Sequence, residues 1–327
     1  IVFGDWSSDV CSSDLVAKEC RRRSATLLVF PGGRLESKEE YEYMRNRIFG
    51  FVRPDIADGV LCWASSLSGF VPERRVQETL ASISLPLVTF GLKIGDNPAV
   101  TMDAYQGMKS LLIHMVRHHS RRRIAFIAGP KAHSSAEERY KAYRDTLRET
   151  GLRFDPSLVV LDTPWTEGRT AILELLDRRG KKPKEDFDAL CAASDLLAFD
   201  AATLLQERGY RLPADLALGG FNDSAESNMV SPTYTTVRMP FERQATKALQ
   251  MLLDRLKGKS QGDSVLKTSL VVRQSCGCLP SSVRLAGRRG SKRWRMIRKD
   301  PRRPQAEEVL RFLQGLCHFS PSQRKAY

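Results

Sequence analysis

The feature that most constrains this chain is a repeated alternation. Short runs rich in Val, Ile, Leu and Phe are each followed by a longer stretch of helical period. Runs that are apolar at successive positions are covered on both faces, as in a parallel sheet flanked by helices. Strands are expected at 26–30, 59–63, 86–90, 123–128, 158–161, 187–193 and 216–221. Helices are expected at 37–52, 73–83, 105–118, 136–150, 167–179, 195–208 and 241–256. Within 136–150, Tyr140, Tyr143 and Leu147 recur at spacings of three and four, a stripe suited to burial, and Gly151 can end the helix in a left-handed conformation. The pattern predicts a doubly wound α/β architecture.

With 327 residues, 42% hydrophobic and 28% charged, the chain has room for one large domain or two ordinary ones, and the composition excludes a disordered or collagen-like chain. No run of 18 apolar residues occurs, so no membrane partner is expected, and no signal-peptide pattern is seen, an absence that means little beside the foreign-looking first residues. The net charge of +14 would suggest a polyanion partner if it were evenly spread. It is not: 13 Lys and Arg against 3 Asp and Glu fall in residues 281–327, leaving the rest near neutral. Arg288-Arg289, Lys292-Arg293 and Arg302-Arg303 around Trp294 could track phosphates, but such charge runs are commonly solvated, and 279–327 is expected to be a basic linker or tail.

Residues 5–15 resemble the translation of a sequencing-library adapter, and residues 1–15 are therefore expected to be foreign to the fold. Of the seven cysteines, Cys62 and Cys191 lie in apolar strand-like runs, where a thiol acts as a small hydrophobe. No disulfide framework is evident, which fits a reducing, cytoplasmic setting.

From Asp103 onward the chain resembles the sensor core of LacI/GalR-type regulators. The resemblance rests on Asp103-Ala-Tyr-Gln-Gly107, His114, Arg122-Arg-Ile-Ala-Phe-Ile-Ala-Gly-Pro130 and Glu138-Arg-Tyr-Lys-Ala-Tyr-Arg-Asp-Thr-Leu147. It continues through Ala192-Ala-Ser-Asp-Leu-Leu-Ala198, Leu212-Pro-Ala-Asp-Leu-Ala-Leu-Gly-Gly-Phe-Asn-Asp223, Ser231-Pro-Thr-Tyr-Thr-Thr-Val-Arg238 and Leu270-Val-Val-Arg-Gln-Ser-Cys276. These motifs imply a periplasmic-binding-protein-like type I fold over 16–278: two lobes, each a doubly wound, mainly parallel sheet, with a small molecule in the cleft. Lobe one is expected over about 16–120 and 237–258, and lobe two over about 121–236 and 264–276. The family core opens with a strand and helix where residues 1–15 stand here, so the first strand is expected to be missing.

The resemblance places Arg139 on ligand hydroxyls, a role its planar donor fork suits. Asp103 matches an aspartate at the cleft mouth, although Ala104 stands where an asparagine is usual. Ser194-Asp195 replaces a common Asn-Asp and Asn222-Asp223 a common Asp-Asp; for Asp195 and Asp223, helix capping and ligand contact both remain open. Arg34, Ser65 and Ser66 follow strands and are candidates by position.

His114 and His118, at i and i+4, could chelate zinc, and His119 adjoins them, but no acidic or cysteine partner lies beside them in sequence. Cys276-Gly-Cys278 has no second pair at zinc spacing and is expected to form a strand-end turn, so no metal and no cofactor is expected. No nucleophile elbow, phosphate-binding glycine loop or zinc-protease motif is present, so an enzyme is not expected. The resemblance implies a carbohydrate-type effector, a homodimer, and DNA contact only through a domain outside this chain. Alternatives are a sensor fused ahead of a diguanylate cyclase or histidine kinase, for which 32–35, 39–46 and 275–278 speak, and an extracytoplasmic solute-binding protein.

Overall fold

Apolar runs of four to six residues become strands here because parallel neighbours satisfy their backbone and helices cover both faces. The computed structural model describes residues 2–5, 10–37, 42–68, 70–260 and 262–279. In chain order the first part runs β1 (Val2–Asp5), α1 (Val10–Arg22), β2 (Val29–Gly32), α2 (Glu42–Arg45), β3 (Val60–Trp63), α3 (Ala64–Leu67), α4 (Glu73–Ala81), β4 (Leu87–Phe90), β5 (Ala99–Met102) and α5 (Ala104–His119). There follow β6 (Ile124–Ile127), α6 (Ser134–Glu149), β7 (Val159–Val160), α7 (Gly168–Leu173), β8 (Ala189–Ala192), α8 (Asp195–Glu207), β9 (Ala217–Gly219), β10 (Thr236–Arg238), α9 (Phe241–Leu256), β11 (Ser264–Leu266) and β12 (Ser269–Val271).

Two parallel sheets result, one in the order β11-β5-β4-β3-β1-β2 and one in the order β7-β6-β8-β9; β10 and β12 form an antiparallel pair. In β3, Val60 and Cys62 pack with Val76 and Leu80 of α4, whereas Leu61 and Trp63 pack on the opposite face with Val16 of α1 and Leu249 and Leu252 of α9. This alternation of period two, with both faces apolar, is what the continuous runs required. The second core joins β6, β8 and β9 to Met108, Leu111 and Met115 of α5 and to Tyr143 and Leu147 of α6. The rings of Phe126 and Tyr143 stack at 4.7 Å, and the Tyr143 hydroxyl donates to the Ile124 carbonyl at 2.8 Å. As expected, Gly151 has positive φ just beyond α6.

Several expectations are corrected. The place of the first strand is not empty: β1 pairs with β2 over four residues and with β3 over two. Ladder bonds are made by backbone, so a short Val-Phe-Gly-Asp segment can fill the gap between two otherwise open edges. Helix α5, expected in lobe one, packs into the second core, and β11, expected in lobe two, extends the first sheet beside β5. The chain therefore changes lobes near Asp103 rather than near residue 120. The helix expected at 37–52 is broken: α2 passes into a 3-10 stretch, Asn46–Phe51, where the Asn46 side chain accepts from the Gly33 amide at 2.8 Å, and 38–41 lie outside the described residues. The helix at 167–179 is α7 followed by a π turn, Glu174–Arg178.

Residues 280–327, and with them the basic doublets and Trp294, lie outside the described residues.

Candidate functional site

The carboxyl ends of β6, β7, β8 and β9 converge in the second lobe, where open α/β sheets place their ligands. Arg139, on the second turn of α6, is 4% exposed there. Its Nη1 donates to the Ala193 carbonyl at 2.5 Å and its Nη2 to Ser135 Oγ at 3.1 Å. Its Nε is buried without a partner. Burial pushes the guanidinium pKa down to about 9, and the Glu138 and Asp195 carboxylates oppose that shift only from a distance. No carboxylate among the described residues bonds this cation. A buried charge left in that state is costly unless something else supplies the acceptor.

Aromatic rings enclose it. The guanidinium carbon stands 3.8 Å over the Phe221 ring and 5.7 Å from that of Trp165, a cation–π arrangement. Trp165 in turn meets His133 edge-on at 5.3 Å and closes over Gly129, where a Cβ would come within 2.4 Å of the indole. His133 is buried, its Nδ1 has no partner, and burial drives its pKa down to about 3, so the ring is neutral. Thr163 Oγ1, two residues before Trp165, is likewise buried and unpartnered. His133, Arg139 and Thr163 thus each keep a buried polar atom without a hydrogen-bond partner, the first two against the Trp165 indole. Trp165, His133, Phe221 and Thr163 were not anticipated from sequence; an aromatic residue in the loop after a short strand was the one available signal.

Asp195 is 2% exposed and fully engaged: Oδ1 accepts from Thr236 Oγ1 at 2.6 Å and Oδ2 from the Ser224 amide at 2.8 Å. Burial raises its pKa, with the two hydrogen bonds opposing. The cap of α8 is Ser194, whose Oγ accepts from the Leu197 amide at 3.2 Å. Asp223 accepts from Arg238 Nε and from Arg273 Nη2, each at 2.5 Å. Asn222 and Asp223 both have positive φ, at 126° and 59°, which fits their short polar side chains. The structure thus gives Ser194, Asp195 and Asp223 structural partners, and Asp223 does not cap a helix.

In the first lobe, Ser65 and Ser66 occupy α3 directly after β3; Ser66 Oγ donates to the Trp63 carbonyl at 2.7 Å, and Ser65 Oγ presses on Gly91, where a Cβ would stand 2.3 Å away. The Arg34 guanidinium lies 4.9 Å over the Phe70 ring. Asp103 caps α5, accepting from the Gln106 amide at 2.9 Å where the chain crosses between lobes. Burial, assisted by Asp103, raises the pKa of Glu138, while Arg139 opposes. The lobes meet at the Ser134 amide, the first of α6, which donates to Glu73 Oε1 at the start of α4 at 3.2 Å.

Away from the cleft, the fold supplies the partners that neither group has beside it in sequence: His114, His119, Cys276 and Cys278 bring their donor atoms within 4.8 Å of one another.

The core is two-lobed and α/β, and in its second lobe a buried guanidinium that bonds no carboxylate among the described residues stands against an indole. A family model described as periplasmic binding protein-like domain matches residues 113–276. The HTH-type transcriptional regulator CelR of Thermobifida fusca is 31% identical over 236 residues, 70% of this chain and 66% of CelR. The HTH-type transcriptional regulator RegA of Clostridium saccharobutylicum is 29% identical over 245 residues, 74% of this chain and 70% of RegA. Among solved structures, a LacI family transcriptional regulator from Mycobacterium smegmatis matches with a TM-score of 0.72 at 25% identity, covering 85% of this chain and 98% of its own. A CelR–cellobiose complex matches at 0.69 with 27% identity, covering 84% and 83%. The chain belongs to the periplasmic-binding-protein-like domain family, and its core is a LacI/GalR-like sensor domain.

Proposed function

We propose that the chain is the effector-sensing part of a LacI-type transcriptional regulator and that its effector is a carbohydrate or similar polyhydroxyl molecule held between the lobes. The observation that carries the reading is Arg139, a buried guanidinium with an unpartnered Nε and no bonded carboxylate among the described residues. A ligand oxygen supplies the missing acceptor, and Trp165 offers a face for the ring to stack upon. The CelR–cellobiose complex, a sugar on a related sensor, supports the same ligand class. Asn222 is the remaining candidate contact on this side, and Arg34, Ser65 and Ser66 are candidates on the facing lobe; Ser194, Asp195, Asp223 and Asp103 act mainly by shaping the cleft.

Signalling follows from lobe closure: contacts made only in the closed state shift the population toward it. The Glu73–Ser134 bond joins α4 of one lobe to α6 of the other. DNA contact would fall to a helix-turn-helix of the kind the relatives' names state, acting in a homodimer in the cytoplasm. The relatives favour this output over a diguanylate cyclase, a histidine kinase or an extracytoplasmic receptor, and a sensor over an enzyme. No described helix is long and apolar enough to cross a membrane.

A thermal-shift screen of monosaccharides and disaccharides on the full chain tests the proposal. One class of sugar is expected to raise the melting temperature in a saturable way; a flat response across the panel, with phosphosugars and nucleosides active instead, would redirect it.

A further inference from the structure

Two pairs of metal-donor side chains, far apart in sequence, meet on the second lobe. His114 and His119 lie on the last turns of α5, and Cys276 and Cys278 close the sensor core. His114 Nε2 and His119 Nε2 are 3.2 Å apart. Cys276 Sγ is 3.4 Å from His114 Nε2, while Cys278 Sγ is 3.7 Å from His114 Nε2 and 3.3 Å from His119 Nε2. Around a tetrahedral zinc ion with bonds of about 2.0–2.1 Å to nitrogen and about 2.3 Å to sulfur, neighbouring donors stand roughly 3.3–3.8 Å apart. The measured edges fall on or within a tenth of an ångström of that range, and all four atoms lie within 4.8 Å of one another.

The backbone is shaped for this convergence. Gly277, between the two cysteines, has φ of 109°, and a Cβ there would stand 3.2 Å from His119 Nδ1. Only glycine turns the chain in this way while leaving the imidazole room. The two histidine rings meet edge-on at 72°, with their Nε2 atoms turned toward each other. His114 and Cys276 are buried, and His119 and Cys278 half-buried, so the cluster is enclosed on its inner side. His118, the i+4 partner suggested by spacing alone, is exposed.

We propose that His114, His119, Cys276 and Cys278 form a structural zinc site. Two thiolates and two imidazoles select a borderline-soft ion and exclude magnesium and calcium, which require oxygen donors. Four protein ligands leave no open position, so the ion holds the structure and does not activate water. On binding, the two thiols release their protons to solvent. The site ties the end of α5 to the end of the core, residues 162 apart in sequence for the His114–Cys276 edge, and fixes where the chain leaves the second lobe toward residue 279. The proposal is independent of the effector, since none of the four residues belongs to the cleft.

The full chain, produced in zinc-supplemented medium and passed through gel filtration, is expected to carry about one zinc per chain by elemental analysis. After zinc is removed, added cobalt(II) should give the intense visible bands of a tetrahedral centre with thiolate-to-cobalt charge transfer in the near ultraviolet. C276S/C278S and H119A should each lose the zinc and the charge-transfer band at that stoichiometry. The proposal is overturned by less than about a tenth of a zinc per chain together with no charge-transfer band in the wild-type cobalt titration, or by undiminished zinc in C276S/C278S. The cobalt titration uses the unmutated chain, so it decides the matter even where a variant does not fold.

Discussion

Replacing Arg139 by methionine separates a ligand-binding role from a structural one, because the two make opposite predictions for the ligand-free protein. At neutral pH the native side chain is a charged group in an apolar enclosure. Its depression to about 9 from the ordinary arginine value corresponds to an upper bound of about 5 kcal/mol, at about 1.4 kcal/mol per pH unit. The sign follows from linkage: a base whose folded pKa is lowered destabilises the folded state wherever both states are protonated, and the penalty lessens only above the folded pKa, between about 9 and the unfolded value. Methionine fills similar space without charge. Against this, it abandons the Ala193 carbonyl, a loss of about 1–3 kcal/mol for a buried acceptor, and the stacking on Phe221, worth about 0.5–2 kcal/mol. The terms nearly cancel, so R139M without ligand should melt within a few degrees of wild type or slightly higher. Its affinity for the sugar found by screening should fall by roughly 10- to 150-fold, the value of about 1.5–3 kcal/mol for a hydrogen bond to a charged group. Differential scanning calorimetry and isothermal titration calorimetry read the two quantities. A melting point many degrees lower with unchanged sugar affinity would refute the reasoning and make Arg139 a structural residue.

Other consequences are equally open to measurement. Trp165→Ala should weaken sugar binding by about tenfold while barely moving the ligand-free melting point, the value of a lost aromatic face of about 1 kcal/mol or more; isothermal titration reads it. Asp223→Asn keeps the positive φ that the site requires but leaves Arg238 and Arg273 without their shared carboxylate, and the denaturant midpoint should report a loss of about 1–3 kcal/mol. Arg211 and Lys184 hold the Asp215 carboxyl well below its ordinary range, so its stabilising contribution is present above the unfolded carboxylate pKa and lost as pH falls through the folded one. Asp215→Asn should therefore be less stable than wild type at pH 7, with the gap closing in strong acid; a gap constant with pH would count against the assignment. Removing residues 2–9 should reopen the edges of β2 and β3, and light scattering should show association of the shortened chain.

What could be read from sequence divides along physical lines. Strands β3, β4, β6 and β8 fall within their expected ranges because both faces are buried and the runs are unbroken. Strands β5, β10, β11 and β12 escaped notice: Ala-Val-Thr-Met, Thr-Val-Arg, Ser-Val-Leu and Ser-Leu-Val are too short and too mixed to announce themselves, and pairing with distant partners defines them. Arg139 was singled out as a candidate because its neighbours in α6 form a recognisable motif. Trp165 was not, since nothing local marks a loop tryptophan as part of a wall closed by Gly129 and His133. Asp103 and Ser194, singled out as candidate ligand contacts, have the geometry of helix caps. The His114 and Cys276 cluster lay beyond local reading altogether, because its members are brought together only when β10–β12 folds back on α5.

The central claim is that one sugar-like molecule lies in the cleft on Arg139. A crystal structure of the chain with the sugar selected by the thermal screen tests it most directly. The predicted result is a ring against Trp165, with an oxygen within hydrogen-bond distance of Arg139 Nε, the atom that has no partner in the ligand-free chain. A sugar bound elsewhere, or an Nε still unpartnered beneath it, would contradict the account.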